Sequence, residues 1–246
     1  VLIKKITELF AHQPAVFDFD YCIVRSKRKS LCIQIKDSSV RILAPQRFPV
    51  AQINQFLLQK QDWIAKKLQQ QQVSTAQLQH FKQSGKIFCN GQLKTLVVQR
   101  ASLYQITETD QQILLQIPNR ISELQQSSYI KRKLDNWFNH RAKLHFPERL
   151  ALFSYQLELA PAGLIIKKYR ARWGSCSSDR VISLNYLLMM APDFVIDYVI
   201  VHELCHLTHM NHSASFWALV ARHYPDYRQA KHWLKVNSHQ LQAIHH

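Results

Sequence analysis

Between Phe194 and Leu207 the chain is almost wholly apolar, yet it carries His202-Glu203-Leu204-Cys205-His206 near the end of that run. Phe194, Val195, Ile196, Tyr198, Val199, Ile200, Val201, Leu204 and Leu207 predict a helix that is buried rather than one that floats on a single apolar stripe. Burying a carboxylate and two imidazoles in such a helix is costly unless something compensates them. A divalent cation would. Residues four apart lie on one face of a helix, one turn from each other, so His202 and His206 can direct ring nitrogens at one ion. Glu203 stands beside the first of them, where it can take a proton from a water on that ion.

A catalytic zinc site uses three protein ligands and keeps one position open. Two histidines follow closely, His209 and His212. His209 would continue the same helical ridge, about 10 Å along the axis from His202 at 1.5 Å per residue, and so converges poorly. His212 is better placed. Asn211 is a candidate left-handed helix stop, and Ser213 can cap a following helix. The expected order of helix, stop, ligand and new helix turns His212 back towards the first two ligands and leaves His209 as a supporting or surface residue. The spacing from His202 to His212 equals that of H-E-x-x-H-x-x-G-x-x-H, the metzincin pattern. His209 occupies the place of its glycine, however, and no methionine follows Met210, so no Met-turn can form and that class is excluded.

With 246 residues, 47% of them hydrophobic, the chain can bury one large core or two small ones. Cys22, Cys32, Cys89, Cys176 and Cys205 form an odd set with no CxxC pair, the usage of reduced thiols and a cytoplasmic protein. Cys205 points off the ligand face and reads as a core thiol. No apolar run approaches a membrane span, and no secretory signal is evident at the N-terminus. The formal net charge of +16 favours anionic partners such as nucleic acid, nucleotides or acidic peptides. Its densest run is Arg25-Ser26-Lys27-Arg28-Lys29. A second set, Lys167, Lys168, Arg170 and Arg172, leads towards the histidines.

Residues 1–120 read as a β-rich lobe with one helix. Tyr21 to Val24 and Leu31 to Ile35 are expected to pair as a hairpin around the basic run. Val40 to Leu43 is a further strand, and Val50 to Gln72 has helical periodicity through Ile53, Phe56, Leu57, Ile64 and Leu68. Asn90-Gly91 signals a tight turn between strands. Leu93 to Val98, Tyr104 to Thr107 and Ile113 to Ile117 complete the lobe. Residues 121–246 form the second lobe. It comprises a long helix over Ser128 to Phe153 with Pro147 inside and an apolar side including Leu144, strands at Leu164 to Tyr169 and Val181 to Asn185, the histidine helix opened by Pro192 and Asp193, and two closing helices.

Arg172-Trp173-Gly174-Ser175-Cys176-Ser177, Ile182-Ser183-Leu184-Asn185, Tyr198 through His206, and Asn211-His212-Ser213 with Phe216-Trp217 together resemble the YgjP-like metal-dependent hydrolases, relatives of the SprT and WLM zinc peptidases. Arg25-Ser26-Lys27-Arg28 and Asp62-Trp63-Ile64 extend the resemblance into the first lobe. The resemblance implies an α+β, zincin-type metallopeptidase core of helices against a small mixed sheet, one catalytic Zn2+ held by His202, His206 and His212, and Glu203 as base. The expected reaction is hydrolysis of a peptide bond in a peptide or protein substrate. Arg172 would steady a developing oxyanion or form a structural ion pair, and the Val181 to Asn185 strand could pair an extended peptide. Two other functions share these features. The resemblance also extends to nucleotide pyrophosphatase activity on uridine triphosphate, and to peptidases that act on proteins bound to nucleic acid. A nucleic-acid-binding module with a structural zinc would use the charge but would have no need of Glu203.

Overall fold

The computed structural model describes residues 17–36 and 39–242, without the side chains of residues 36 and 70–83. The chain is α+β, and it divides into two compact units, one ending at Gln79 and the next beginning at His80. The expected change of character near residue 120 lies inside the second unit, where a sheet gives way to a long helix.

The first unit contains β1 (Tyr21–Ser26), β2 (Cys32–Lys36), β3 (Ser39–Pro45) and most of α1 (Val50–Gln83). The strand order is β1-β3-β2, with β1 parallel and β2 antiparallel to β3. The expected hairpin of the first two strands therefore does not form. The most apolar strand, β3, takes the centre, and its Val40, Ile42 and Ala44 pack with Ile23 of β1 and with Ile53, Leu57 and Ile64 of α1. Arg25 favours this register, because its Nη1 donates to the carbonyl oxygens of Pro45, Gln46 and Phe48 and ties the end of β1 to the turn after β3. Arg28 donates to the Ser30 carbonyl. Two of the four cations in the basic run thus satisfy backbone carbonyls. The α1 backbone stays helical past the glutamines expected to end it, and the side chains of Gln70 to Gln72 lie outside the described residues.

The second unit opens with β4 (Lys86–Cys89), β5 (Gln92–Ala101), β6 (Gln105–Glu108) and β7 (Gln112–Pro118), in the order β4-β5-β7-β6. Asn90 and Gly91 form the expected turn, with φ of 49° and 78°. Gly91 is required twice, for its positive φ and because a Cβ there would lie 2.6 Å from Cβ of Pro192. Its N–H donates to the Met190 carbonyl, which docks the hairpin just ahead of the histidine helix. α2 (Glu123–Leu157) buries Leu134, Phe138, Ala142, Phe146, Leu150, Phe153 and Leu157, one stripe at three- and four-residue steps. Leu144 falls between those steps and is 61% exposed, contrary to expectation. Glu108 of β6 accepts from Lys94 of β5 at 2.6 Å and from Arg141 of α2, joining sheet to helix.

The chain then forms β8 (Gly163–Lys167), β9 (Gly174–Cys176), β10 (Val181–Asn185) and a 3-10 turn (Tyr186–Met190). α3 (Asp193–Cys205), α4 (Ala214–His223) and α5 (Tyr227–Gln242) follow. α3 is buried on all sides, as its composition requires. Arg149 of α2 donates through Nε and Nη2 to the two carboxylate oxygens of Asp197, at 2.7 and 2.6 Å, and this planar fork fixes the roll of α3. Because Glu203 and the first two histidines ride on α3 or its end, the same fork sets the direction in which they point. No helix among the described residues is long and apolar enough to cross a membrane.

Candidate metal centre

α3 stops at Cys205, with His206 as its C-terminal cap, and so does not continue to His209 as expected. Among the described residues the only non-glycine positions at positive φ are Asn90, Glu158 and Arg180. Asn211 is therefore not a left-handed stop. The reversal runs instead through the turn at Leu207 and Thr208. His209 consequently leaves the helical ridge, and its contribution is a main-chain one: His206 Nδ1 lies 2.9 Å from the His209 carbonyl oxygen. The carbonyl can only accept, so Nδ1 carries the proton and Nε2 of His206 keeps its lone pair. Ser213 caps α4 as expected, its hydroxyl accepting from the Phe216 N–H. That cap starts the helix directly after His212 and aims it back across the end of α3.

His202, His206 and His212 come together, each with a ring nitrogen within 4.8 Å of the others. Nε2 of His202 and Nε2 of His212 are 3.1 Å apart. Two nitrogens on a tetrahedral zinc at 2.0–2.1 Å are separated by about 3.3 Å, so this spacing suits two ligands of one ion. Burial, with the His206 and His212 imidazoles and Lys231 adding to it, pushes the His202 pKa down to about 3. The ring is neutral at ordinary pH and offers a lone pair. Phe216 is wholly buried and stacks on His206, with ring centres 4.5 Å apart at 26°. The donor set, its protonation and its spacing all fit a divalent cation of the zinc type.

Glu203 lies against Gly174 of β9. It is 5% exposed, and its Oε2 is buried without a hydrogen-bond partner. Burial raises its pKa to about 8 against the lowering field of Arg172. A carboxylate left in that state is a poor structural element and calls for a cation or a proton as partner. Gly174 of β9 makes the pocket possible, since a Cβ there would sit 2.5 Å from Oε1 and 2.8 Å from Cγ of Glu203. Arg172 is exposed, its guanidinium 5.6 Å from the centre of the Tyr169 ring. The buried Asn185 holds this approach in place. Its Nδ2 donates to the carbonyls of Tyr169 and Arg172, and its Oδ1 accepts from the Leu187 N–H.

The sheet order corrects one expectation. β10 is central, with β8 parallel on one side and β9 antiparallel on the other, so it has no edge left to pair a peptide. The strand bordering Glu203 is the short β9. Gly174 and Asn185 were not expected to shape the site, though the chain has only four glycines and one of them stands in Arg-Trp-Gly-Ser. Of the second basic set, Lys168 pairs with Asp135 at 3.3 Å, Lys167 lies 5.0 Å from the Tyr169 ring centre, and Arg172 is the one whose charge acts on Glu203.

An α+β unit that presents three converging imidazoles beside a buried, unpartnered glutamate has the parts of a metal-dependent hydrolase. The chain belongs to the YgjP-like family: the family model described as YgjP-like, metallopeptidase domain, matches residues 29–237. The match covers α3, β9, β10 and all three histidines, and it supports a metal-dependent hydrolase. A comparison with curated proteins gives no match.

Proposed function

We propose that the chain is a zinc-dependent peptidase in which His202, His206 and His212 hold the ion and Glu203 is the general base. The observation that carries this reading is the pairing of three clustered imidazoles with an adjacent buried carboxylate that has no other partner. Zinc bound there would acidify a water and polarise the scissile carbonyl. The protein's own part is proton handling and alignment. Glu203, beside β9 and deprotonated when a bound cation lowers its pKa, takes the proton of the attacking water on its carboxylate and delivers it to the leaving amine nitrogen. A site that excludes solvent strengthens both transfers. Arg172, within electrostatic reach of Glu203, stabilises negative charge that develops on the carbonyl oxygen.

β9 is the strand suited to align an extended substrate. The Trp173 carbonyl accepts from the Asn185 N–H, the Ser177 N–H donates to the Val181 carbonyl, and Ser175 is in register between them. In an antiparallel pair these groups alternate, so the main-chain N–H and C=O of Gly174 and Cys176 face the opposite edge. A peptide added there would run past Glu203.

The reading is tested by incubating the purified protein with an unfolded protein substrate and, separately, with nucleoside triphosphates, with and without a chelator. Chelator-sensitive cleavage of the polypeptide, lost in E203Q, is the expected result. Triphosphate hydrolysis without proteolysis would replace it with the pyrophosphatase reading.

A further inference from the structure

The three imidazoles are held in different ways. His202 is packed within α3 against Tyr198 and Phe216, with Trp217 5.7 Å away but tilted by 55°, and burial rather than an acceptor on Nδ1 holds its ring. His206 is oriented by its hydrogen bond to the His209 carbonyl. His212 sits in the loop between α3 and α4 and is exposed, and no hydrogen bond to its Nδ1 occurs among the described residues. An exposed ring on a loop has two torsions to lose on binding an ion, and metal-ligating histidines ordinarily have the second nitrogen fixed by an acceptor.

A stack of rings takes the place of that acceptor. The indole of Trp217 lies nearly parallel to the His212 imidazole, with centres 5.7 Å apart at 26°. Tyr227 of α5 lies nearly parallel to the indole, 5.5 Å away at 26°. The Lys231 ammonium is 4.3 Å from the Trp217 ring centre, which seats a cation on the indole and adds a second tie to α5. Phe216 meets the imidazole edge-on at 4.9 Å. His212, Trp217 and Tyr227 thus form a run of three rings, each tilted by 26° from the next, from the loop to the last helix. Trp217 is only half-buried, so its size is not required to fill the core, whereas the neighbouring Phe216 is wholly buried.

We propose that Trp217 is the positioning residue for the third ligand: by stacking on His212 and being braced by Tyr227 and Lys231, it preorganises that imidazole for the cation. The inference rests on the reading of His212 as a ligand. It states in addition that affinity at the exposed corner of the site is set by aromatic stacking.

The test is Zn2+ affinity of the full chain, read by competition with a chromophoric chelator, for wild type, W217L, W217F, H212A and the double variant W217L/H212A. W217L removes the stack while keeping an apolar side chain, and W217F restores an aromatic face. The expected result is affinity about 10- to 100-fold weaker in W217L and within about threefold of wild type in W217F, in line with the loss of a ligand-orienting partner. In the H212A background, W217L should change affinity by less than about twofold, because the ring it positions is gone. Equal losses in both backgrounds would make Trp217 a general structural residue and overturn the proposal, as would unchanged affinity in W217L. Failure of the wild type to bind Zn2+ at all would instead overturn the metal reading itself, and this inference with it.

Discussion

Replacing Gly174 by alanine adds one methyl group to a strand whose backbone any residue can adopt, yet the new carbon would lie 2.5 Å from Oε1, 2.8 Å from Cγ and 2.9 Å from Cδ of Glu203. Ordinary contact begins near 3.4 Å, so the carboxyl group must retreat by at least about 0.9 Å. Gly174 is held by pairing with Leu184 of β10, and Glu203 is enclosed, so the strain falls on the glutamate side chain. A misplacement of about 1 Å in a reacting group costs on the order of 100-fold in rate, equivalent to ~2.7 kcal/mol of barrier. Overpacking adds roughly 1–3 kcal/mol of lost stability. G174A should therefore show a kcat about 100-fold lower on an unfolded protein substrate, with Zn2+ affinity within a fewfold of wild type, because none of the three imidazoles is displaced. The assays are initial-rate proteolysis and chelator competition on one preparation. A G174A enzyme with wild-type kcat would refute the argument that β9 holds Glu203 in its working position. Loss of metal binding in step with rate would show that the glycine serves the whole site.

Three further outcomes follow from the packing around the site. D197N leaves the Arg149 fork facing an amide, and with both partners largely out of solvent the loss should be about 2–3 kcal/mol, or roughly 5–10 °C in the melting temperature of the metal-free protein. Burial alone would raise the pKa of Glu108, but Lys94, Cys89 and Arg141 outweigh burial and hold its carboxyl below the usual value. The stability it contributes is present above pH 4.5 and is lost as pH falls through the lower folded value, so E108Q should be less stable than wild type at pH 7 in urea and should lose less on acidification. N185A removes the amide that ties the Tyr169 and Arg172 carbonyls to β10, and should lower kcat/KM by about tenfold with little change in metal content, measured side by side with R172Q.

Much of the site was legible because its determinants are local. Residues four apart on one helix share a face, Ser213 before an apolar run starts a helix, and Asn90-Gly91 makes a two-residue turn wherever strands flank it. What was not legible depends on which distant segments meet. Nothing in β1 announces that β3 rather than β2 is its partner; the decision lies in Arg25 reaching three carbonyls some twenty residues on. β10 reads as a plausible substrate strand until β8 and β9 occupy both its edges. Gly174 looks like a turn former until the glutamate is found against it. The early end of α3 was missed for a related reason. The apolar periodicity runs on to Leu207, but the His206 ring bonds the His209 carbonyl, and that bond belongs to a turn.

The most direct test of the whole account is the zinc content of the full chain, measured by elemental analysis after dialysis against buffered Zn2+, for wild type and for H202A, H206A, H212A and E203Q. One ion per chain in wild type and E203Q, and less than a tenth of that in each histidine variant, is the expected pattern. Wild-type occupancy in H212A, or none in wild type, would contradict the claim that these three imidazoles share a cation beside Glu203.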